Sequence, residues 1–167
     1  MIASSSSRSG PIPIRPVTAA DFAPFGTLLD TPEPAPRQDR AALVQSGRPG
    51  LDPNLALIRS EPFATVMPLR RLEMHPFSTQ TFLPLSVADY VVVVAHDRDG
   101  APDPSTLAAF AVPGHVGIHY RAGAWHAHMM TRESPGTFAM LVYEDGSEAD
   151  CVFAPIPDAV LIEIGLD

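Results

Sequence analysis

The sequence predicts an all-β fold, a β-barrel or double-stranded β-sandwich with a few short helices. Two observations predict it. Nineteen prolines and eleven glycines punctuate 167 residues, leaving little room for helices longer than about ten residues. Between them run many short apolar segments, each bounded by Pro, Gly or Asp. The length suits one domain with a sizeable core. That domain is expected over residues 11–167, after a disordered N-terminal tail at residues 1–10.

Strands are expected over residues 12–17, 27–30, 55–59, 66–75, 80–85, 90–95, 109–112, 116–120, 126–131, 138–143, 151–153 and 160–164. The four valines Val91 to Val94 suit a strand buried on both faces. Thr18 to Asp21 reads as a helix start, with Phe22 and Phe25 on one side and Gly26 as the stop. A second short helix is expected over residues 103–110, capped by Asp103 with Pro104 at its first position. Residues 31–53 are rich in Pro, Arg and Asp and read as a long loop. His96, in His-Asp-Arg-Asp-Gly, falls in a hairpin turn.

Composition removes several functions. The net charge is −8, which argues against a nucleic-acid partner and against attraction to acidic membranes. No window has the roughly 18 apolar residues of a membrane helix, and the N-terminus lacks a signal-peptide core. All eleven basic residues are arginine. Without lysine there is no Schiff-base chemistry and no lysine-held pyridoxal cofactor. The one cysteine, Cys151, forms no intrachain disulfide. Its expected role is packing, in a reducing cytoplasm.

Four of the six histidines and the only tryptophan lie in two segments, residues 73–80 and 117–128. Side chains at i and i+2 share a strand face. Glu73 and His75 therefore point together, as do His126 and His128, and Gln80 can swing back beside them after Pro76. A carboxylate, imidazoles and an amide oxygen suit a divalent metal, with Ni, Zn, Mn and Fe all open. His119 alternates with Gly117 and Arg121 and is expected on the face of Arg121. Arg121 suits a substrate carboxylate. Tyr120 and Trp125 are expected as walls, and residues 144–148 as a solvated acidic turn.

The middle of the chain resembles the ureidoglycolate lyase family, long called ureidoglycolate hydrolase. Residues 73–84 resemble its E-x-H-P-x-x-T-Q-x-F-x-P motif through Glu73, His75, Pro76, Thr79, Gln80, Phe82 and Pro84. Tyr90 to Ala95, then Pro102, Asp103, Ser105, Thr106, Leu107, Ala109 and Phe110, continue the resemblance in order. Gly117, Tyr120, Trp125 and His126 resemble its G-V-x-Y-H-x-x-x-W-H segment, and Phe22, Phe25 and Gly26 its F-x-x-Y-G. Arg121 stands where the family has histidine, and Ala127 where it has a second one.

The resemblance implies a cupin-like β-barrel, often a homodimer, cleaving ureidoglycolate to glyoxylate and urea in allantoin degradation. It also implies a divalent metal, with nickel associated. Glu73, His75, Gln80 and His126 match the polar motif positions. They are the expected metal ligands, with Glu73, His75 and His126 also catalytic, and Arg121, His119, His128 and Gln80 on the small carboxylate substrate. The alternative is a divergent member acting on or sensing another small acid.

Overall fold

The computed structural model describes residues 11–30, 36–63 and 66–163. The expected tail at residues 1–10 and the end of the last predicted strand lie outside them. The chain runs through β1 (Ile12–Pro16), α1 (Ala19–Phe22), β2 (Gly26–Leu29), β3 (Pro53–Ser60), β4 (Val66–Met74), β5 (Gln80–Ser86) and β6 (Asp89–Ala95). It continues through β7 (Asp97–Arg98), β8 (Ala101–Pro102), β9 (Ala108–Pro113), β10 (Gly117–Tyr120) and β11 (Trp125–His126). The last strands are β12 (Met130–Thr131), β13 (Gly136–Tyr143) and β14 (Val152–Glu163).

One sheet closes on itself. Its order is β11-β4-β14-β1-β9-β6-β12, and β11 also pairs with β6. Six strands therefore form a ring. Ile12, Leu72, Val91, Val93, Ala109, Trp125, Ala127 and Ile156 fill its interior as one cluster. The other sheet, in order β2-β10-β5-β13-β3, packs on the outside of β6 and β9. Tyr90, Val92, Val94, Phe110 and Val112 there meet Phe82, Ile118, Tyr120 and Phe138. The valine run is thus buried on both faces, as expected: alternate residues serve the ring and the seam between the sheets. This is a β-barrel with a second sheet packed on it, the all-β architecture of the sequence reading.

Local chemistry explains the connections. Thr18 caps α1 by accepting from the Asp21 amide at 3.1 Å. At Gly26 a Cβ would lie 1.8 Å from the His119 carbonyl oxygen, so only glycine lets β2 approach β10. The His96 segment turns between β7 and β8 with Asp99 and Gly100 at positive φ, 55° and 82°.

Three sequence expectations change. The helix over residues 103–110 is only a 3₁₀ turn, Pro104–Thr106. Asp103 does cap it, but Ala108 onward is captured by β6, with Val94 opposite Ala108. The strand expected over 126–131 divides into β11 and β12, because β11 must also reach β4 to close the ring. The separate strands expected near 151 and 160 form one, β14, with a bulge between Pro155 and Val160. Leu69 and Leu72 of the facing strand β4 both belong to the ring cluster.

Candidate functional site

Ring closure brings the site residues together. Glu73 on β4 is the direct cross-strand partner of His126 on β11. Their neighbours Leu72, Trp125 and Ala127 point into the ring, so Glu73 and His126 point outward, toward the second sheet. There the Tyr120 ring stacks on His126 at 4.1 Å between centroids. His75, just past β4, adds its ring 5.9 Å from that of His126. One ligand atom each from Glu73, His75 and His126 lie within 4.8 Å of one another.

Both imidazoles are oriented by main-chain carbonyls. Nδ1–H of His75 donates to Asp150 O at 2.9 Å, and Nδ1–H of His126 donates to Ala124 O at 2.9 Å. A carbonyl only accepts, so Nδ1 carries the proton in each ring. Each Nε2 then presents a lone pair, and each is buried without a hydrogen-bond partner among the described residues. His126 Nε2 faces the Glu73 carboxylate at 3.5 Å. Two acceptors held that close need a cation between them or a proton.

Burial pushes the Glu73 carboxyl up, but His126 across the contact, with His128 and His75, outweighs it and holds the group below the usual range. Burial and the neighbouring His126 push His75 down, against the pull of the Asp150 carbonyl and Glu73. Glu73 is thus held ionised, and a carboxylate with imidazoles at hand is a ligand set suited to a divalent metal.

Gln80 is buried on the inner face of β5, beside Tyr120 in register. Its Nε2 donates to Met140 Sδ at 3.3 Å, and its Oε1 is a third buried acceptor without a partner among the described residues. His128 is exposed at the rim, with Nδ1 4.0 Å from the same Glu73 oxygen. Arg121 is exposed in the turn after β10, whose Gly123 amide donates to His75 O at 2.9 Å.

His119 is a correction. It alternates with the core residues Ile118 and Tyr120 and so lies on the outer face of the second sheet. It bonds Thr81 Oγ1 at 2.8 Å and lines a cavity of about 480 Å³ between that face and residues 38–44. Ala127, where the family has a histidine, packs inside the ring and lies apart from the cluster. Trp125 also faces the ring, with Nε1–H donating to Asp97 at 2.9 Å. Half-buried Cys151 has its thiol pushed up to about 11 by burial and by Glu73, which suits a packing role. Sequence reasoning missed Asp150, whose part is played by a main-chain carbonyl and leaves no side-chain signature.

The chain belongs to the ureidoglycolate lyase family, whose pattern matches residues 9–163. A relative from Agrobacterium fabrum is 35% identical over 153 residues, covering 90% of this chain and 93% of its own. A protein named ureidoglycolate lyase from Pseudomonas paraeruginosa is 31% identical over 83% of this chain and 86% of its own. Ureidoglycolate lyase 2 of Rhizobium meliloti is 29% identical over 78% and 85%. Among solved structures, Lactobacillus farciminis oxalate decarboxylase aligns at a TM-score of 0.40 and 12% identity, over 83% of this chain and 31% of that one.

Proposed function

We propose that this chain is a metal-assisted ureidoglycolate lyase, releasing glyoxylate and urea in purine-nitrogen use. The observation that carries the reading is the pair of buried, carbonyl-oriented Nε2 lone pairs converging on an ionised Glu73. His75, His126 and Glu73 would hold a divalent ion, with Gln80 Oε1 completing the set. Nickel is the first choice, then manganese or zinc. Such an ion supplies positive charge that draws electrons from substrate oxygens and orients the reacting bond.

The substrate carries a hydroxyl and a urea nitrogen on one carbon, next to a carboxylate. Loss of the hydroxyl proton lets the C–N bond break as the carbonyl forms, and urea leaves with a proton on nitrogen. No water is consumed, which makes the reaction a lyase reaction. Glu73, ionised at neutral pH, takes the hydroxyl proton. His128, 4.0 Å from Glu73 Oε1 and open to solvent, passes a proton to the departing nitrogen. Arg121, at the rim beside the His75 segment, receives the carboxylate. Placed proton-transfer groups contribute about 10²–10⁴-fold. His119 has no place in this scheme.

The partner is a second copy of this chain, seated on the outer face of the second sheet. Leu55 pairs with Leu141, Leu57 with Ala139, and Ala139 with Leu83 across neighbouring strands. Leu55, Leu57 and Leu83 are 69%, 74% and 46% exposed. Five strands spaced by about 4.8 Å, with some six residues each, give a face of roughly 500 Å². Residues 38–44 lie over part of it, so the free face is below the roughly 800 Å² per partner of a standard interface. The chain carries a net charge of −8, and this leucine row presents no acid to a like-charged copy. The single cysteine fits a reducing cytoplasm.

The test is racemic ureidoglycolate with the metal-loaded protein, measuring glyoxylate and urea together. Equal release above the spontaneous rate, lost in His75→Ala, is the expected result. Full activity in His75→Ala would sink the assignment.

A further inference from the structure

The long loop and the acidic turn of residues 144–150 meet behind His75. Asp150 is their junction. Its Oδ2 accepts from the amides of Asp145 at 2.9 Å and Gly146 at 2.6 Å. Its Oδ1 pairs with Arg48 Nη2. Its main-chain carbonyl receives the His75 Nδ1 proton at 2.9 Å. The other arm of the guanidinium, Nη1, donates to Asp145 Oδ2 at 2.9 Å.

Arg48 is anchored from the opposite side. Its amide donates to Ser46 Oγ at 3.1 Å, and that hydroxyl donates back to the Arg48 carbonyl at 2.9 Å. The Gly47 amide donates to Phe77 O at 2.6 Å, and the Thr79 amide to Gln45 O at 3.1 Å. The guanidinium also lies over the Phe77 ring at 5.5 Å. The segment following His75 is therefore stitched to the loop that carries Arg48. Arg48 in turn clamps the turn that holds the other side of His75.

The turn needs that clamp. Glu144, Asp145, Glu148 and Asp150 crowd four acids into seven residues. Asp150 is only 7% exposed and Arg48 21%, so this pair is screened less than a surface ion pair.

We propose that Arg48 is a positioning residue for the site. The contact of its Nη2 with the Asp150 carboxylate fixes the Asp150 carbonyl, which keeps the His75 proton on Nδ1 and its Nε2 lone pair turned toward Glu73 and His126; the arm on Asp145 is auxiliary. The consequence for metal binding rests on the reading of this cluster as a metal centre. The consequence for the tautomer does not.

The test uses metal-free, ¹⁵N-histidine-labelled full chain and calorimetric titration with Ni²⁺ or Mn²⁺. His75 ring signals are assigned by their loss in His75→Gln. Wild type should show the single Nδ1–H tautomer. Arg48→Gln should show a mixture of tautomers and bind metal about 10–100-fold more weakly, the usual cost of losing a group that orients a ligand. Asp145→Asn leaves the Asp150 contact in place and should stay within about threefold of wild type. Arg48→Lys, which keeps the charge without the fork, should fall between, and it carries the test if Arg48→Gln does not fold. A folded Arg48→Gln with the wild-type tautomer and affinity overturns the proposal. So does an equal loss in Asp145→Asn. A wild type that binds no metal, with the tautomer still lost in Arg48→Gln, upholds Arg48 and removes the metal reading instead.

Discussion

Replacing Glu73 with glutamine should stabilise the metal-free protein while removing its response to metal. Glu73 Oε1 lies 3.5 Å from His126 Nε2, and the His126 proton is committed to Ala124 O. Two acceptors therefore face each other. A glutamine amide places an N–H donor opposite the imidazole lone pair. One such neutral hydrogen bond contributes about 0.5–1.5 kcal/mol. For a domain of this size each kcal/mol moves the melting midpoint by roughly 2–4 °C, so metal-free Glu73→Gln should melt about 1–6 °C above metal-free wild type. Metal reverses the order. At a hundred times Kd it stabilises wild type by about 2.7 kcal/mol, or roughly 5–11 °C. The variant lacks the anionic ligand and should gain little at the same concentration. Differential scanning calorimetry at pH 8, with EDTA and then with Ni²⁺ or Mn²⁺, reads both arms. A metal-free variant that melts below wild type, with an unchanged metal-induced rise, would refute the reasoning. The carboxylate would then be held by a protonated imidazole and would await no cation.

Three other outcomes are expected. His75 is held below its ordinary value of 6.5, so the unfolded chain binds the proton more readily and stability falls as pH drops below that value. Glu73, depressed from 4.5, contributes stability above that value and loses it as pH falls lower still. Urea midpoints of EDTA-treated protein at pH 8, 6 and 4 should fall in that order, and a flat profile would contradict both shifts. His119→Ala breaks the Thr81 contact on the outer face, costing about 1–3 kcal/mol while leaving ureidoglycolate kcat/KM within about twofold; a loss as deep as that of His126→Ala would return His119 to the site. Leu57→Asp puts a charge in the leucine row and should give a folded monomer by light scattering, whereas an unchanged mass would dismiss that face as the contact between copies.

Much of this molecule is legible in its sequence, and the unreadable parts share a cause. The i, i+2 rule put Glu73 with His75 and His126 with His128 because strand pleating is local. The same rule puts His119 on the outer face once Ile118 and Tyr120 are known to be core, but which residues are core depends on the second sheet. The helix expected after Asp103 had a sound cap and a well-placed Pro104, and it lost to pairing with β6, an energy that no local signal reports. The division of β11 from β12 and the fusion of two predicted strands into β14 follow from ring closure, a property of distant segments. Arg48 and Asp150 were invisible because the contact to His75 runs through a main-chain carbonyl.

The ring also sets an order of events during synthesis. β14 lies between β4 and β1, and β1 pairs with it in parallel, Ile12 against Ile162. Until residues 152–163 leave the ribosome, two strands made much earlier keep bare edges. Such edges recruit other chains, and pairings this distant in sequence form slowly. A chain cut short before β14 would therefore be a seed for aggregation more than a weaker enzyme. Chaperone demand should peak just before β14 is made.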